Sequence, residues 1–493
     1  MKYLACDIGA SNGRVVLVSF DEGRIDTQEI HRFSNDPVRT SKHLHWDTMR
    51  ILYEIQQGLV ICSNQKGFIP DSIGINTWGT DFGLVDSDGN LIFTPINYHD
   101  ESRDEISPEV ENLISSEQLF YNSGYNVISS VESLYYLFSK KKNIVSTASK
   151  ILFTPDLLSF LLCGEYYAER SICMTSKLLD VETGEWASSS LSALGIDQGY
   201  FPEIIEPGTV TGEIDGKIMT ELGLKGEIKV VAVAGHDTAS AAAAVPFSED
   251  KYAYISCGTW SVVGTPVDQV IRSREAFDIK GSFDYSVNGR ADIRINIVGL
   301  WIQQELRRCL ALKGDNYSYA ELAELSAAAD PHIAVIDPDA EIFFRTGNMI
   351  EKVTRFCEET GQRVPATVGE VTRVVIESLA LKYNYVLERI ERLLDTSLPV
   401  IYMIGGGVQN KQLCQYTASA CQRVVKAGPV EATVVGNFLM QALATGAISG
   451  MDEGREIVRN SFELTCYHPQ DRAVWDKQRE IAKGIFEREE IVP

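Results

Sequence analysis

The residue whose surroundings best suit it to chemistry is Asp237, in Ala234-Gly235-His236-Asp237-Thr238-Ala239. It follows an apolar run, 228–234, that reads as a buried strand. It precedes an alanine-rich stretch, 239–244, with strong helix propensity, which Pro246 stops. At a helix start the dipole favours an ionised carboxylate, which can accept a proton from a bound hydroxyl. An Asp there is equally suited to capping the helix, and local sequence leaves both roles open. His236 and Thr238 flank it with hydrogen-bonding groups, while Gly235 and Ala239 leave room for a ligand.

Three turns, each following a strand, could present backbone N–H groups to an anion. In the first, strands over 3–8 and 14–18 enclose Gly9-Ala10-Ser11-Asn12-Gly13, with Asp7 beside the turn. Glycine there permits close approach and the positive φ of an anion-binding nest, although a plain hairpin turn explains the same residues. In the second, Gly258-Thr259 between strands 252–256 and 261–264 offers a hydroxyl and an amide. In the third, Gly405-Gly406-Gly407 joins strand 399–404 to a helix starting near Gln409-Asn410. Such a junction suits a nucleotide lying on bare backbone, and tight packing accounts for the triple glycine as well.

Other constellations fail. The chain has no G-x-x-x-x-G-K-[ST] and no H-E-x-x-H. His43 and His45, beside Trp46-Asp47, read as satisfied imidazoles on a half-exposed strand rather than as metal ligands, and Tyr135-Tyr136 reads as core. Ten Cys include no C-x-x-C pair, which points to reduced thiols rather than zinc or disulfides.

The elements that must position these residues follow from length and pattern. At about 150 residues per domain, 493 residues make two large α/β domains or about three smaller ones. The composition, 44% hydrophobic and 23% charged, is that of a folded globular chain. Each half opens with a strand, a Gly-containing turn and a returning strand, which suggests a duplicated domain, divided into 1–245 and 246–493. A second strand-turn-strand element is expected over 72–86, and helices over 299–312 and 368–394, the latter with an apolar stripe broken only at Lys382. The region 105–190 mixes helices with polar connections.

The net charge of -23 argues against nucleic acid or anionic membrane as a partner, so an anionic substrate must be attracted by local means. No stretch reaches the roughly 18 apolar residues of a membrane span. Only four residues separate Lys2 from Asp7, too few for the apolar core of a signal peptide, and cytoplasmic residence is the expectation. The oligomeric state is not readable.

Six ordered motifs together carry a resemblance: Asp7-Ile-Gly-Ala-Ser-Asn-Gly-Arg14, Asn76-Thr-Trp-Gly-Thr-Asp-Phe82, Ala234-Gly-His-Asp-Thr-Ala-Ser240, Ser256-Cys-Gly-Thr-Trp-Ser261, Asn296-Ile-Val-Gly-Leu-Trp301 and Gly405-Gly-Gly-Val-Gln-Asn410. The chain resembles the FGGY family of carbohydrate kinases, and the likeness continues into Ala427-Gly-Pro-Val-Glu-Ala-Thr433. The resemblance implies two related α/β domains of ribonuclease-H-like fold, as in the sugar kinase, Hsp70 and actin superfamily, with a cleft between them. It implies ATP and Mg²⁺, and phosphorylation of the 1-hydroxyl of a ketose, L-rhamnulose first, with L-fuculose or xylulose as alternatives. Asp237 would be the base. Gly79, His236, Thr238 and Asn296 would contact the sugar. Ala10, Ser11, Asn12, Gly13, Arg14, Thr259, Gln304 and Gly406 would hold the nucleotide, and Asp7 would approach the metal through water.

Two positions depart from the expected pattern, His99 in place of Arg and Asn76 in place of Asp, both near the strand that leads toward the sugar side. A non-catalytic sugar or ATP sensor of the same fold is the other class of function. A carboxylate at Asp237 favours the enzyme, because a sensor has no use for a base there.

Overall fold

The opening hairpin forms because the apolar run 3–8 can be buried on both faces while the polar turn after it reverses the chain. Lys2–Ile8 pairs antiparallel with Asn12–Asp21, in a register that sets Asp7 opposite Arg14 and Ile8 opposite Gly13. The computed structural model describes residues 1–488 apart from 286 and 288, with side chains at all of these except 65 and 66.

The chain divides into two units. The first comprises Met1–Pro246, Pro266–Ile293 and Ala432–Phe462. The second comprises Phe247–Thr265, Arg294–Glu431 and residues 463–488. The first stretch of unit 1 thus ends at Pro246, and two later segments return to it.

Unit 1 is built on a six-stranded sheet in the order Thr209–Glu213, Lys229–Ala232, Ser72–Thr77, Lys2–Ile8, Asn12–Asp21, Arg24–Ser34. The second, third and fourth of these are mutually parallel. Their C-terminal ends therefore emerge side by side and carry Asp7, Thr77 and, just past the Lys229–Ala232 strand, the turn leading to Asp237. In open α/β sheets this edge is where ligands bind. One face is covered by the helix Thr48–Lys66, whose start is capped by the Asp47 carboxylate and which buries Ile51, Ile55, Leu59 and Cys62. Each such aliphatic side chain contributes about 1.5–3 kcal/mol when fully buried.

Also in unit 1, the helix Ala432–Ala444 packs against Asp237–Ala243 so closely that a Cβ on Gly436 would lie 1.7 Å from the Ser240 carbonyl oxygen. Chain returning from position 432 thereby supports the helix that begins at Asp237. The element expected over 72–86 is not one hairpin. Ser72–Thr77 stays in the main sheet, whereas Phe82–Val85 joins a separate three-stranded sheet with Leu91–Phe93 and Lys150–Phe153. The turn between them holds the buried Asp81, whose carbonyl accepts the Thr154 hydroxyl at 2.9 Å.

Unit 2 repeats the pattern. Ala253–Cys257 pairs antiparallel with Trp260–Val267 and parallel with Val400–Ile404, which in turn lies parallel to Val424–Ala427. The long helix Val368–Leu394 starts with a reciprocal Thr367/Glu370 capping box. Lys382, which breaks its apolar stripe, is buried because its Nζ lies 2.8 Å from Asp337 Oδ1 and 3.1 Å from Asp339 Oδ2. No helix among the described residues is long and apolar enough to cross a membrane.

Candidate active site

Asp237 is the first residue of its helix, and His236 occupies the N-cap position without a side-chain cap bond. The Asp237 carboxylate is partly exposed and accepts the Thr238 hydroxyl at 3.1 Å. Burial raises it above the ordinary Asp range; His236 opposes the rise and the Asp7 carboxylate adds to it. The His236 ring stands between two carboxylates, with Nε2 3.7 Å from Asp237 Oδ1 and Nδ1 3.6 Å from Asp284 Oδ2.

The turn before Asp237 is tied down on both sides. Thr77 N–H donates to the Gly235 carbonyl at 2.8 Å, Gly235 N–H donates to Glu169 Oε2 at 2.9 Å, and His236 N–H donates to Ser171 Oγ at 3.3 Å. Glu169, Ser171 and Asp284 carry no motif signal in the sequence.

On the first turn, Ser11 and Asn12 are exposed and Gly13 is buried. Neither Gly9 nor Gly13 adopts a positive φ, contrary to the nest expected from the sequence. Gly13 is glycine because a Cβ would lie 2.2 Å from the Phe33 ring. Arg14 and Asp7, expected at the phosphates and the metal, pair with each other: Nη2 and Nε of Arg14 donate to Asp7 Oδ2 at 2.8 and 3.0 Å.

The other Asp7 oxygen accepts Asn76 Nδ2 at 2.8 Å. Asn76 thus directs its amide N–H at Asp7. It is the outer member of a buried amide chain. Asn437 Nδ2 donates to Asn76 Oδ1 at 2.8 Å, Gln441 Nε2 to Asn437 Oδ1 at 2.7 Å, and Ser72 Oγ to Gln441 Oε1 at 2.7 Å.

Gly79 sits in a second turn of unit 1, where a Cβ would lie 2.9 Å from Thr175 Cγ2. The next residue, Thr80, is held at φ +77°, a strained conformation for a β-branched residue. Its N–H donates to Thr175 Oγ1 at 2.9 Å. Asp81 accepts the indole N–H groups of Trp46 and Trp78 at 2.5 and 2.9 Å, and burial pushes its carboxyl up to about 6. The two indole rings lie 4.0 Å apart. Tyr98, raised to about 12 by burial and by the Asp81 and Asp237 carboxylates, borders this aromatic cluster. His99 is exposed, with its ring 4.2 Å from that of Tyr98. His43 bonds Asp100 at 3.1 Å, and Tyr136, expected as core, is half-buried with its hydroxyl 3.3 Å from His43 Nε2.

Unit 2 holds the remaining candidates. Thr259 Oγ1 donates to Gln304 Oε1 at 3.1 Å, and Asn296 is the one exposed residue of the strand Ala291–Val298. In the triple glycine, Gly405 takes φ +84° and Gly407 lies where a Cβ would come within 2.2 Å of Cys257 Sγ. Packing therefore explains two of the three. Gly406 is exposed, and a Cβ there would meet nothing within 4 Å.

Two α/β units with the same hairpin-and-parallel-strand core, one of them carrying a raised carboxylate at a strand-to-helix turn, define the fold class of the sugar kinase, Hsp70 and actin superfamily. The chain belongs to the FGGY family of carbohydrate kinases, matching its N-terminal domain over residues 2–244 and its C-terminal domain over 253–445. It is 36% identical to a rhamnulokinase of Bacteroides thetaiotaomicron over 96% of this chain and 97% of that one. It is 32% identical to a rhamnulokinase of Bacillus subtilis over 96% of each. Its structure is similar to that of a ligand-bound xylulose kinase from Lactobacillus acidophilus, with a TM-score of 0.79, 16% identity and coverage of 99% of this chain and 97% of that one. It is similar also to Plasmodium falciparum glycerol kinase with ADP, with a TM-score of 0.79, 15% identity and coverage of 100% and 98%. The reaction class is ATP-dependent phosphorylation of a sugar or polyol.

Proposed function

We propose that the protein transfers the γ-phosphoryl group of ATP to the 1-hydroxyl of L-rhamnulose, giving L-rhamnulose 1-phosphate and ADP. The observation that carries the chemistry is Asp237, a raised carboxylate at a strand-to-helix turn whose backbone is bonded on both sides. What supports the sugar is the likeness to rhamnulokinases over nearly the whole chain. L-Rhamnulose is a 6-deoxy ketose, so its 1-hydroxyl is its one primary hydroxyl.

In this mechanism Asp237 accepts the proton of the 1-hydroxyl as the oxygen bonds to phosphorus, and the bond from the γ-phosphorus to the bridging oxygen of ADP breaks. Phosphoryl transfer depends mainly on alignment and charge neutralisation. A modestly raised carboxylate suffices, because in a loose transition state the hydroxyl loses its proton late. By the family resemblance, Gly79, His236, Thr238 and Asn296 orient the sugar. By the same resemblance, Ala10, Ser11, Asn12, Gly13, Arg14, Thr259, Gln304 and Gly406 hold the nucleotide. Arg14 exchanges Asp7 for phosphate when ATP binds.

The family implies Mg²⁺, and Asp7 fits it: a hard oxygen donor, 13% exposed, at a strand end beside the exposed Ser11 and Asn12. Mg²⁺ takes one or two carboxylates and completes its shell with phosphate oxygens and water, neutralising charge on the transferring group. We place the reaction in the cytoplasm.

The test is ADP release with L-rhamnulose, L-fuculose, D-xylulose and glycerol as acceptors. A kcat/KM for L-rhamnulose at least tenfold above the others is expected. A preference for another acceptor replaces the sugar, and no turnover with any acceptor favours a sensor.

A further inference from the structure

Glu169 is a fully buried carboxylate to which the chemistry above gives no part. It begins the short helix Arg170–Met174 and accepts Ser171 N–H at 2.8 Å on Oε1, and Ile172 N–H at 3.1 Å on Oε2. Capping asks for no more than this. Oε2 accepts in addition the Ser171 hydroxyl at 2.7 Å and the Gly235 N–H at 2.9 Å, while Ser171 Oγ accepts the His236 N–H at 3.3 Å. One buried carboxyl, which burial pushes up to about 7, and the hydroxyl bonded to it thus take up two successive N–H groups immediately before Asp237. The fit is tight, since a Cβ on Gly235 would lie 3.0 Å from both Glu169 Oε2 and Pro155 Cγ.

The surroundings favour this arrangement over a surface ion pair. Asp156, whose own carboxyl is raised well above the ordinary range by burial and by Glu169, accepts the Glu169 N–H at 3.1 Å. Neighbouring Arg170 pairs outward with Glu206 instead. The Glu169 carboxylate is therefore satisfied by N–H and O–H donors, and those donors include the turn that carries Asp237. A misplacement of 1 Å at a reacting group costs on the order of 100-fold in rate.

We propose that Glu169, acting with Ser171, is a positioning residue for phosphoryl transfer: it holds the Gly235-His236 backbone so that the Asp237 carboxylate stays at the reacting hydroxyl. This rests on Asp237 being the base.

The experiment compares Glu169→Gln, Ser171→Ala, Asp237→Asn and the Glu169→Gln/Asp237→Asn double variant in the full-length enzyme. It measures kcat, KM for ATP and for the preferred sugar, and the thermal midpoint. Glu169→Gln is expected to lower kcat by about 10- to 100-fold, and Ser171→Ala by about 3- to 10-fold, with both KM values within about twofold of wild type. In the Asp237→Asn background, Glu169→Gln should cause no further loss, because there is no longer a base to position. Retention of kcat within twofold by Ser171→Ala and Glu169→Gln, beside an inactive Asp237→Asn, overturns the proposal and leaves the base intact. A loss from Glu169→Gln that is equal in both backgrounds also overturns it, since a general structural defect would act in that way. Full turnover by Asp237→Asn instead removes the base itself. If Glu169→Gln does not fold, Ser171→Ala decides alone.

Discussion

Asp237 and Gly406 are the two residues at which the structure narrows what the sequence left open. At Asp237 the capping alternative recedes because His236 takes the N-cap position and Asp237 opens the helix. At Gly406 the packing alternative fails, because a Cβ there meets nothing, while Gly405 and Gly407 are fully explained by φ and by Cys257. Gly406→Ala should therefore fold with an unchanged thermal midpoint but raise the KM for ATP several-fold; an unchanged KM would show that no nucleotide lies there. The raised Asp237 carboxyl has a pH consequence. The base is lost by protonation as pH falls, and the acid limb of kcat/KM should lie above the free-Asp value of about 3.9. A limb at or below that value contradicts the environment described. Asp237 was legible because strand and helix signals bracket it in sequence. Glu169 was not, because its partner Gly235 lies far along the chain and nothing local distinguishes a buried Glu from an exposed one.

The elements that support the site are held together by contacts between segments distant in sequence. Periodicity revealed the strands 3–8 and 72–77 and the helix 368–394, where Lys382 proved to be paired inside unit 2 rather than a break in the pattern. It could not reveal that Ala432–Ala444 returns to unit 1, nor that Asn437 and Gln441 on that helix continue the hydrogen-bond chain from Asp7 through Asn76. Polar residues on an apolar helix look like defects until their partners are seen. Asn437→Ala leaves Asn76 Oδ1 and the Gly74 carbonyl without this donor, and Gln441 Nε2 with the Leu4 carbonyl at 3.1 Å but not the Asn437 oxygen. A loss of about 2–4 kcal/mol in urea unfolding is expected. Gly436→Ala should be worse for activity than for secondary structure, because it forces the helix off the Ser240 carbonyl and displaces Asp237–Ala243. A Gly436→Ala enzyme with wild-type kcat would show that this helix pair does not position the base.

At the scale of the whole molecule the net charge of -23 opposes the approach of a polyanionic nucleotide. Attraction must come from local groups, and in unit 1 the candidate cation, Arg14, is already paired with Asp7. Raising salt screens the long-range repulsion, so the KM for ATP should fall or stay level between about 50 and 300 mM NaCl. A steep rise would mean that binding depends on exposed cations not described above. The duplicated plan was visible in the two Gly-bearing hairpins, but the return of 266–293 and 432–462 to unit 1 was not, since it depends on long-range packing rather than on pattern. The central claim joins a position of transfer to a base. Its most direct test is to incubate wild type and Asp237→Asn with L-rhamnulose, ATP and Mg²⁺ and to follow the product by ³¹P and ¹³C NMR. The account predicts an ester at carbon 1 from wild type and a rate at least 100-fold lower, order of magnitude, from Asp237→Asn. No ester at carbon 1, or equal rates from the two proteins, would contradict it.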